Sequence, residues 1–289
     1  MTLLIIVLVI LAALAGAAFV IRRTLERMPK KQKKKLFTKR LNRVFSWFED
    51  QGIVARTPAF MYDYHDHYRG LKQLEDGYEA IREECLSLLD VKDDLTDMAD
   101  LGAGYTAGGI HKAKWKAFMF KSGEFIHDNC ARAPRTAALL RQVPGLYTAF
   151  FSVLDPRQDI TPHWGYYKGF LRYHLGVLIP GNNEDHSCWL RVNGNVEDNA
   201  REDESLIEKG EVYYWKNGEG IVFDDNYLHD AANESNEVRV VFWLDLRRKF
   251  PFYLQLYNIL CLWFIHRDSS MKKLRDNARI KVNTSRNAA

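Results

Sequence analysis

The chain has 289 residues, of which 47% are hydrophobic and 27% charged, and a formal net charge of +4. That length buries a sizeable core without disulfide staples and allows one large domain plus an anchor, or two small domains. Cys85, Cys130, Cys188 and Cys261 form no C-x-x-C pair, which argues against a zinc knuckle or a thioredoxin-like site and leaves four buried small hydrophobes.

Leu3 to Ile21 is an uncharged apolar run, just long enough to cross a hydrocarbon core. No positive residue precedes it, as a cleaved signal peptide would require. The basic residues come after it instead, from Arg22 to Arg43. Residues 1–21 therefore read as a retained transmembrane anchor, single-pass, with the rest of the chain on the cytoplasmic side. Residues 22–58 read as a basic juxtamembrane segment and linker. Within it Phe37, Leu41, Val44, Phe45 and Phe48 recur at helical spacing. Such a helix either lies on an anionic leaflet of membrane lipid or packs on the next domain.

Residues 59–249 read as the catalytic domain. Arg69 to Leu89 predicts a helix with Leu71, Leu74, Tyr78, Ile81 and Cys85 on one face. His65 and His67 have no evident third ligand and are not read as a metal site. Gly102, Gly104, Gly108 and Gly109 lack the strand and the Gly-Lys-Ser/Thr of a nucleotide loop, and read as turns or a loop near the active site. Trp115 to Phe120 has strand character. Ala131 to Val143 predicts a helix with Pro134 in its first turn, ended by Pro144-Gly145.

From residue 144 to 247 strand signals come in quick succession: Tyr147 to Leu154, Gly169 to Ile179, Cys188 to Val192, Glu211 to Trp215, Gly220 to Phe223 and Arg239 to Leu246. Asn217-Gly218 predicts a hairpin joining the fourth and fifth. Many short strands with glycine and asparagine turns predict a mainly β sandwich or barrel with flanking helices.

Three features of this block carry chemistry. His163 and His229 sit just outside strands, and neutral imidazole with open coordination positions suits ferrous iron. Arg239 sits inside an apolar strand and needs an anionic partner. That partner is a nearby carboxylate such as Asp224 or Asp245, or the distal carboxylate of 2-oxoglutarate gripped bidentately. Arg172 and His174, two apart on one strand, share a face and would meet the other end of that cosubstrate.

Ser152, His163-Trp164-Gly165, Arg172-x-His174-Leu175-Gly176, Trp215-x-x-Gly218, Phe223-Asp224-Asp225, His229 and Arg239 follow one another along the chain. Across roughly Trp115 to Arg247 this set resembles the aspartyl/asparaginyl β-hydroxylase family of iron(II)/2-oxoglutarate dioxygenases. The resemblance implies a double-stranded β-helix (jelly-roll) core and an oxidoreductase that hydroxylates its substrate. It implies that His163 and His229 bind Fe(II). Ser152 and Arg239 would hold the distal carboxylate of 2-oxoglutarate, and Arg172 and His174 the end near the metal.

The anchor, the run from Leu171 to Gly176 and the apolar C-terminal extension look like the bacterial lipid A acyl-chain 2-hydroxylases. Those enzymes carry an aspartate two residues after the first histidine, where this chain has Gly165, as in the protein-modifying branch with two histidine ligands. Water, Asp224 or Asp225 would then complete the site. Residues 193–210 depart from both branches and read as an acidic surface insertion, solvated or acting as a lid or partner site.

Residues 250–289 read as an apolar amphipathic segment, Phe250 to Ile265, and a polar tail frayed from Asp268. The apolar segment, with basic flanks, is either an interfacial helix dipping into the leaflet or a core helix covering the barrel. The expected function is hydroxylation of a membrane-proximal lipid acyl chain. The alternatives are protein aspartyl/asparaginyl β-hydroxylation, and an inactive membrane-associated binding protein that kept the barrel. No nucleic-acid partner is expected.

Overall fold

The computed structural model describes residues 29–101 and 113–280. The anchor expected at Leu3 to Ile21 and the glycine-rich stretch from Gly102 to Gly109 lie outside the described residues. Among those described, no helix is long and apolar enough to cross a membrane. The chain divides into two compact units, Met1–Val44 and Phe45–Ala289. Helix α1 (Lys30–Asp50) begins in the first and ends in the second. All the described strands lie in the second unit.

Among the described residues, twelve strands build two antiparallel sheets. They are β1 (Phe60–Met61), β2 (Thr96–Asp97), β3 (Trp115–Ser122), β4 (Glu124–Phe125), β5 (Leu146–Leu154), β6 (Gln158–His163), β7 (Phe170–Leu178), β8 (Cys188–Asn193), β9 (Glu211–Tyr214), β10 (Gly220–Phe223), β11 (Leu228–Asn233) and β12 (Arg239–Arg247). The larger sheet runs β1-β10-β7-β12-β5-β3-β2, with β4 on β3, and the smaller runs β6-β11-β8-β9.

The alternation of side chains along a strand divides the core in two. On β12, Val240, Phe242, Leu244 and Leu246 join Phe118, Phe120, Phe151 and Tyr173 in one cluster, which also takes in Leu74, Ile81, Cys85, Ala137 and Leu140 from the helical segments. The opposite face puts Val241 and Trp243 into a second cluster with Phe150, Trp115, Leu190, Trp215 and Phe223. Because β12 is buried on both faces, its middle, Val240 to Leu244, reads as an unbroken apolar run rather than an alternating one. Truncating Phe242, which is fully buried, to alanine would cost about 3–5 kcal/mol.

The expected helix from Arg69 to Leu89 is broken. It comprises a 3-10 turn, a short helix (Lys72–Asp76), then α2 (Tyr78–Leu89), with Gly77 between them. A Cβ at Gly77 would lie 2.6 Å from a methyl of Leu139, so the glycine admits the neighbouring helix α3 (Pro134–Leu140). The Asn217-Gly218 hairpin is also corrected. Its turn forms, with Gly218 at φ +76, but β9 pairs with β8 and β10 pairs with β7 and β1. The chain switches sheets there. Asn217 makes the corner by accepting from Ile179 N–H at 2.8 Å and donating to Ile179 O at 3.0 Å.

Two C-terminal helices complete the unit, α4 (Phe252–Arg267) and α5 (Ser269–Asn277). The second replaces the expected frayed tail. Asp268 caps it by accepting from Ser270 N–H, and Leu274, Ala278 and Ile280 are buried. Helix α4 carries two apolar stripes. Leu254, Cys261 and Leu262 are buried, and Asn258 bonds Tyr167 and Gly169. Phe252, Tyr253, Leu256, Ile259, Leu260, Trp263 and Phe264 are exposed. Neither expected alternative covers both faces alone.

Candidate functional site

His163 and His229 do not sit outside strands. His163 ends β6 and His229 is the second residue of β11, where the two are registered partners. The polar setting of these two strands, rather than an apolar run, hid them in the sequence. The ring centroids lie 4.2 Å apart. Each ring is fixed in the same way: Nδ1–H donates to a backbone carbonyl, of Thr161 for His163 and of Tyr227 for His229, both at 2.8 Å. A carbonyl accepts only from a protonated Nδ1, so each Nε2 keeps its lone pair. Burial pushes His163 down to about 4 and His229 well below the ordinary histidine range. Two neutral, oriented imidazoles side by side are the donor set that a divalent transition metal takes. Among the described residues no third histidine, cysteine, aspartate or glutamate joins them in a metal-binding group.

Gly165 shows why a carboxylate does not stand two residues after His163. Its N–H donates to Asp225 O at 2.6 Å, and a Cβ built there would lie 2.4 Å from Asp225 Oδ2. The space belongs to Asp225. That carboxylate is engaged in turn by Arg172, whose Nη2 lies 2.8 Å from Oδ2, while Arg172 Nε donates to Asp245 at 3.0 Å. Burial raises the Asp225 carboxyl to about 7 despite the attraction of Arg172. Asp224 points elsewhere, to Arg248 at 3.2 Å.

The inner face of the larger sheet supplies the other expected groups. Arg172 and His174 on β7 are registered with Asp245 and Trp243 on β12, and Ser152 on β5 with Val241. Arg172 packs its guanidinium over Trp243 at 3.8 Å. From the sequence, Arg172 was expected to meet the end of the cosubstrate near the metal; two of its donors are committed to Asp225 and Asp245.

Arg239 is fully buried, 1% exposed. Neither Asp224 nor Asp245 pairs with it. Its Nε and Nη2 have no hydrogen-bond partner, and burial pushes the guanidinium down to about 10. It lies over the ring of Trp215 at 4.7 Å. Unpartnered atoms gather here: both ring nitrogens of His174 and the indole N–H of Trp215 are also buried without partners. His174, boxed by Trp215, Phe223 and Trp243, is held neutral by burial. Ser152 Oγ accepts from Trp115 Nε1 at 2.8 Å, which leaves its own proton to donate. A buried cation, two further N–H donors and a hydroxyl are the kinds of group that pair with an anion. The sequence placed Trp215 in a motif but not as a donor, because the sheet-switching corner that brings its indole N–H into the core is set by distant residues.

The expected insertion is ordered at this edge. A short helix (Val196–Ala200) and a 3-10 turn (Glu204–Lys209) occupy it, tied by Lys209 to Asp198 at 3.1 Å and by Arg191 to Glu208 at 3.0 Å. His65 and His67 lie away from it in a separate helical turn, beside Glu75 and Asp63.

A family model described as Aspartyl/Asparaginyl beta-hydroxylase matches residues 75–249. The ornithine lipid ester-linked acyl 2-hydroxylase of Rhizobium tropici is 31% identical over 174 residues, 60% of this chain and 55% of that protein. Human aspartyl/asparaginyl beta-hydroxylase is 25% identical over 182 residues, 61% of this chain and 21% of that protein. The chain thus spans about half the length of the first relative and about a fifth of the second. Among solved structures, a Pseudomonas putida prolyl-4-hydroxylase aligns at a TM-score of 0.35 and 12% identity, over 60% of this chain and 88% of that one. That likeness is too loose to build on.

Proposed function

Because the chain belongs to the aspartyl/asparaginyl β-hydroxylase family, we propose that it is an iron(II)- and 2-oxoglutarate-dependent dioxygenase that hydroxylates a membrane-proximal lipid acyl chain. Arg239 carries the reading. A guanidinium buried with Nε and Nη2 unpartnered, over the ring of Trp215, is costly unless an anion meets it. The distal carboxylate of 2-oxoglutarate fits it. Consecutive strands β5, β6, β7 and β8, and again β9 to β12, fall in larger and smaller sheets in turn, which supports a double-stranded β-helix with the site between its sheets.

His163 and His229 would hold the ferrous ion. The chemistry the iron supplies when bound, with dioxygen and 2-oxoglutarate, is insertion of one oxygen atom into a C–H bond as the cosubstrate becomes succinate and carbon dioxide. The chain's own residues do the rest. Arg239 and the Ser152 hydroxyl hold the distal carboxylate. Neutral His174 donates one N–H towards the end nearer the metal. Arg172 is steadied beside the histidines by Asp225, Asp245 and Trp243, and burial holds the two imidazoles unprotonated.

The acyl-chain substrate is supported by the likeness to the ornithine lipid hydroxylase and by the exposed stripe of α4. Seven large apolar side chains in the open on one helix, flanked by Arg247, Lys249, Arg267, Lys272 and Lys273, suit an anionic leaflet. On that reading the apolar N-terminal segment anchors the domain on the cytoplasmic side. Gly165 and the likeness to the human enzyme favour a second reading, hydroxylation of aspartyl or asparaginyl residues in protein. Detergent-solubilised full chain, given 2-oxoglutarate and either lipid extract or Asp/Asn peptides, separates the two. A mass gain of one oxygen on lipid supports the first; hydroxylated peptide with untouched lipid overturns it.

A further inference from the structure

The strand pair that bears the two histidines is irregular where they stand. His229 is registered with His163, but Ala231 with Ile160, so β6 carries one more residue than β11 between these rungs. A bulge of this kind interrupts the ladder that would otherwise fix the spacing. Beside it, Asn199 on the acidic insertion bridges both strands. Its Oδ1 accepts from the Trp164 indole N–H at 2.9 Å and from the Leu228 backbone N–H at 2.7 Å. Its Nδ2 donates to Asn193 O and Asn195 O, both at 2.7 Å. Two N–H groups on one side and two carbonyls on the other allow a single orientation of the amide. Trp164 comes directly after His163, and Leu228 directly before His229.

We propose that Asn199 is a positioning residue that sets the separation of His163 and His229 for metal binding, so that the insertion at 193–210 braces the metal site instead of serving as a solvated lid. The proposal rests on the reading of that histidine pair as metal ligands. The brace is anchored independently of the histidines. Asn193 is registered with Leu228, and its side chain donates to Asp198 at 3.2 Å and to Leu206 O at 2.7 Å. Removing the Asn199 amide leaves both Nδ1 bonds of the histidines in place but frees the Trp164 ring and strands the Leu228 N–H. Loss of a group that orients metal ligands weakens affinity by about 10–100-fold.

The test is anaerobic titration of the full chain in detergent with Fe(II), and with Co(II) tracked by its visible absorption, for wild type, Asn199→Ala, Trp164→Phe and Asp203→Ala. Asp203 caps the neighbouring turn through Ser205 and touches neither histidine strand, so its variant loosens the insertion alone. Asn199→Ala should bind metal about 10–100-fold more weakly with an altered Co(II) spectrum, Trp164→Phe should shift both in the same direction by less, and Asp203→Ala should match wild type. Wild-type affinity in Asn199→Ala overturns the proposal and leaves the proposed function standing. An equal loss in Asp203→Ala overturns it too, since the effect then comes from a loosened insertion. If Asn199→Ala does not fold, Trp164→Phe decides: an unchanged affinity and spectrum overturn the proposal. A wild-type chain that binds neither metal removes this proposal and the proposed function together.

Discussion

His163 and His229 are registered partners on neighbouring strands, ring centroids 4.2 Å apart, and both rings are turned by the same device, an Nδ1–H bond to a carbonyl two residues back. Neither imidazole is a satisfied core histidine, because each keeps one nitrogen with a free lone pair. Replacing either by alanine should lower Fe(II) or Co(II) affinity by more than about 100-fold, beyond the loss expected for a group that only orients a ligand. Metal titration of the two variants checks this, and near wild-type affinity in either would count against a two-histidine site.

Arg239 separates stability from function. Its buried guanidinium lacks a carboxylate partner, so Arg239→Met should raise the stability of the ligand-free protein by about 1–4 kcal/mol, as expected when a buried charge is exchanged for an apolar side chain of similar volume. The same change should weaken 2-oxoglutarate binding by about 100-fold or more. Denaturant unfolding and calorimetric titration measure the two effects. A destabilised variant that still binds the cosubstrate would show that Arg239 has a structural anion elsewhere.

The buried histidines also set a pH dependence for the metal-free fold. Their unfolded value is about 6.5, whereas burial holds His163 at about 4 and holds His174 and His229 well below the ordinary histidine range. Between those limits the unfolded chain binds more protons, so stability is fully present above pH ~6.5 and falls as pH drops towards ~4. Asp225 acts in the opposite sense. Raised to about 7, its contribution is present below its unfolded value near 3.9 and is lost as pH rises through 7. Three depressed histidines against one raised carboxyl leave a net rise in stability with pH between about 4 and 6.5. Asp225→Asn should steepen it by about 1.4 kcal/mol per unit. Urea unfolding across that range would show the rise; a flat profile would contradict it.

Helix α4 predicts its own surroundings. All four cysteines are buried, so a fluorophore on Leu260→Cys labels selectively. In anionic vesicles the full chain should show strong quenching of this label by lipids brominated on the acyl chain. A label on Leu86→Cys, also exposed but on α2 and far from the stripe in sequence, should show little. Equal quenching at the two positions, or none at Leu260, would remove the lipid surface while leaving the site chemistry untouched.

Much of this was legible in the sequence because periodicity and burial leave direct marks. The apolar run of β12 announced a strand, and the Asn217-Gly218 pair announced a tight turn. What the turn did not announce was its partner: the same local geometry closes a hairpin or turns a corner between sheets, and only distant residues such as Ile179 decide which. The strands around His163 and His229 were missed because Gln158–His163 and Leu228–Asn233 mix polar residues with small ones. The site residues were legible as types but not as pairs. Arg172 looked like a cosubstrate ligand, and only the folded chain puts Asp225 and Asp245 against it. Gly165 marked a missing carboxylate, and the fold supplies the reason, since Asp225 fills the space a side chain there would need.

Turnover of 2-oxoglutarate at the histidine pair is the central claim. The most direct test is succinate formation from 2-oxoglutarate by the iron-loaded full chain, supplied with membrane extract and dioxygen, beside the His229→Ala variant. The wild-type protein should form succinate in an iron-dependent reaction, and the variant none above background. No succinate from either protein, or equal succinate from both, would contradict the claim.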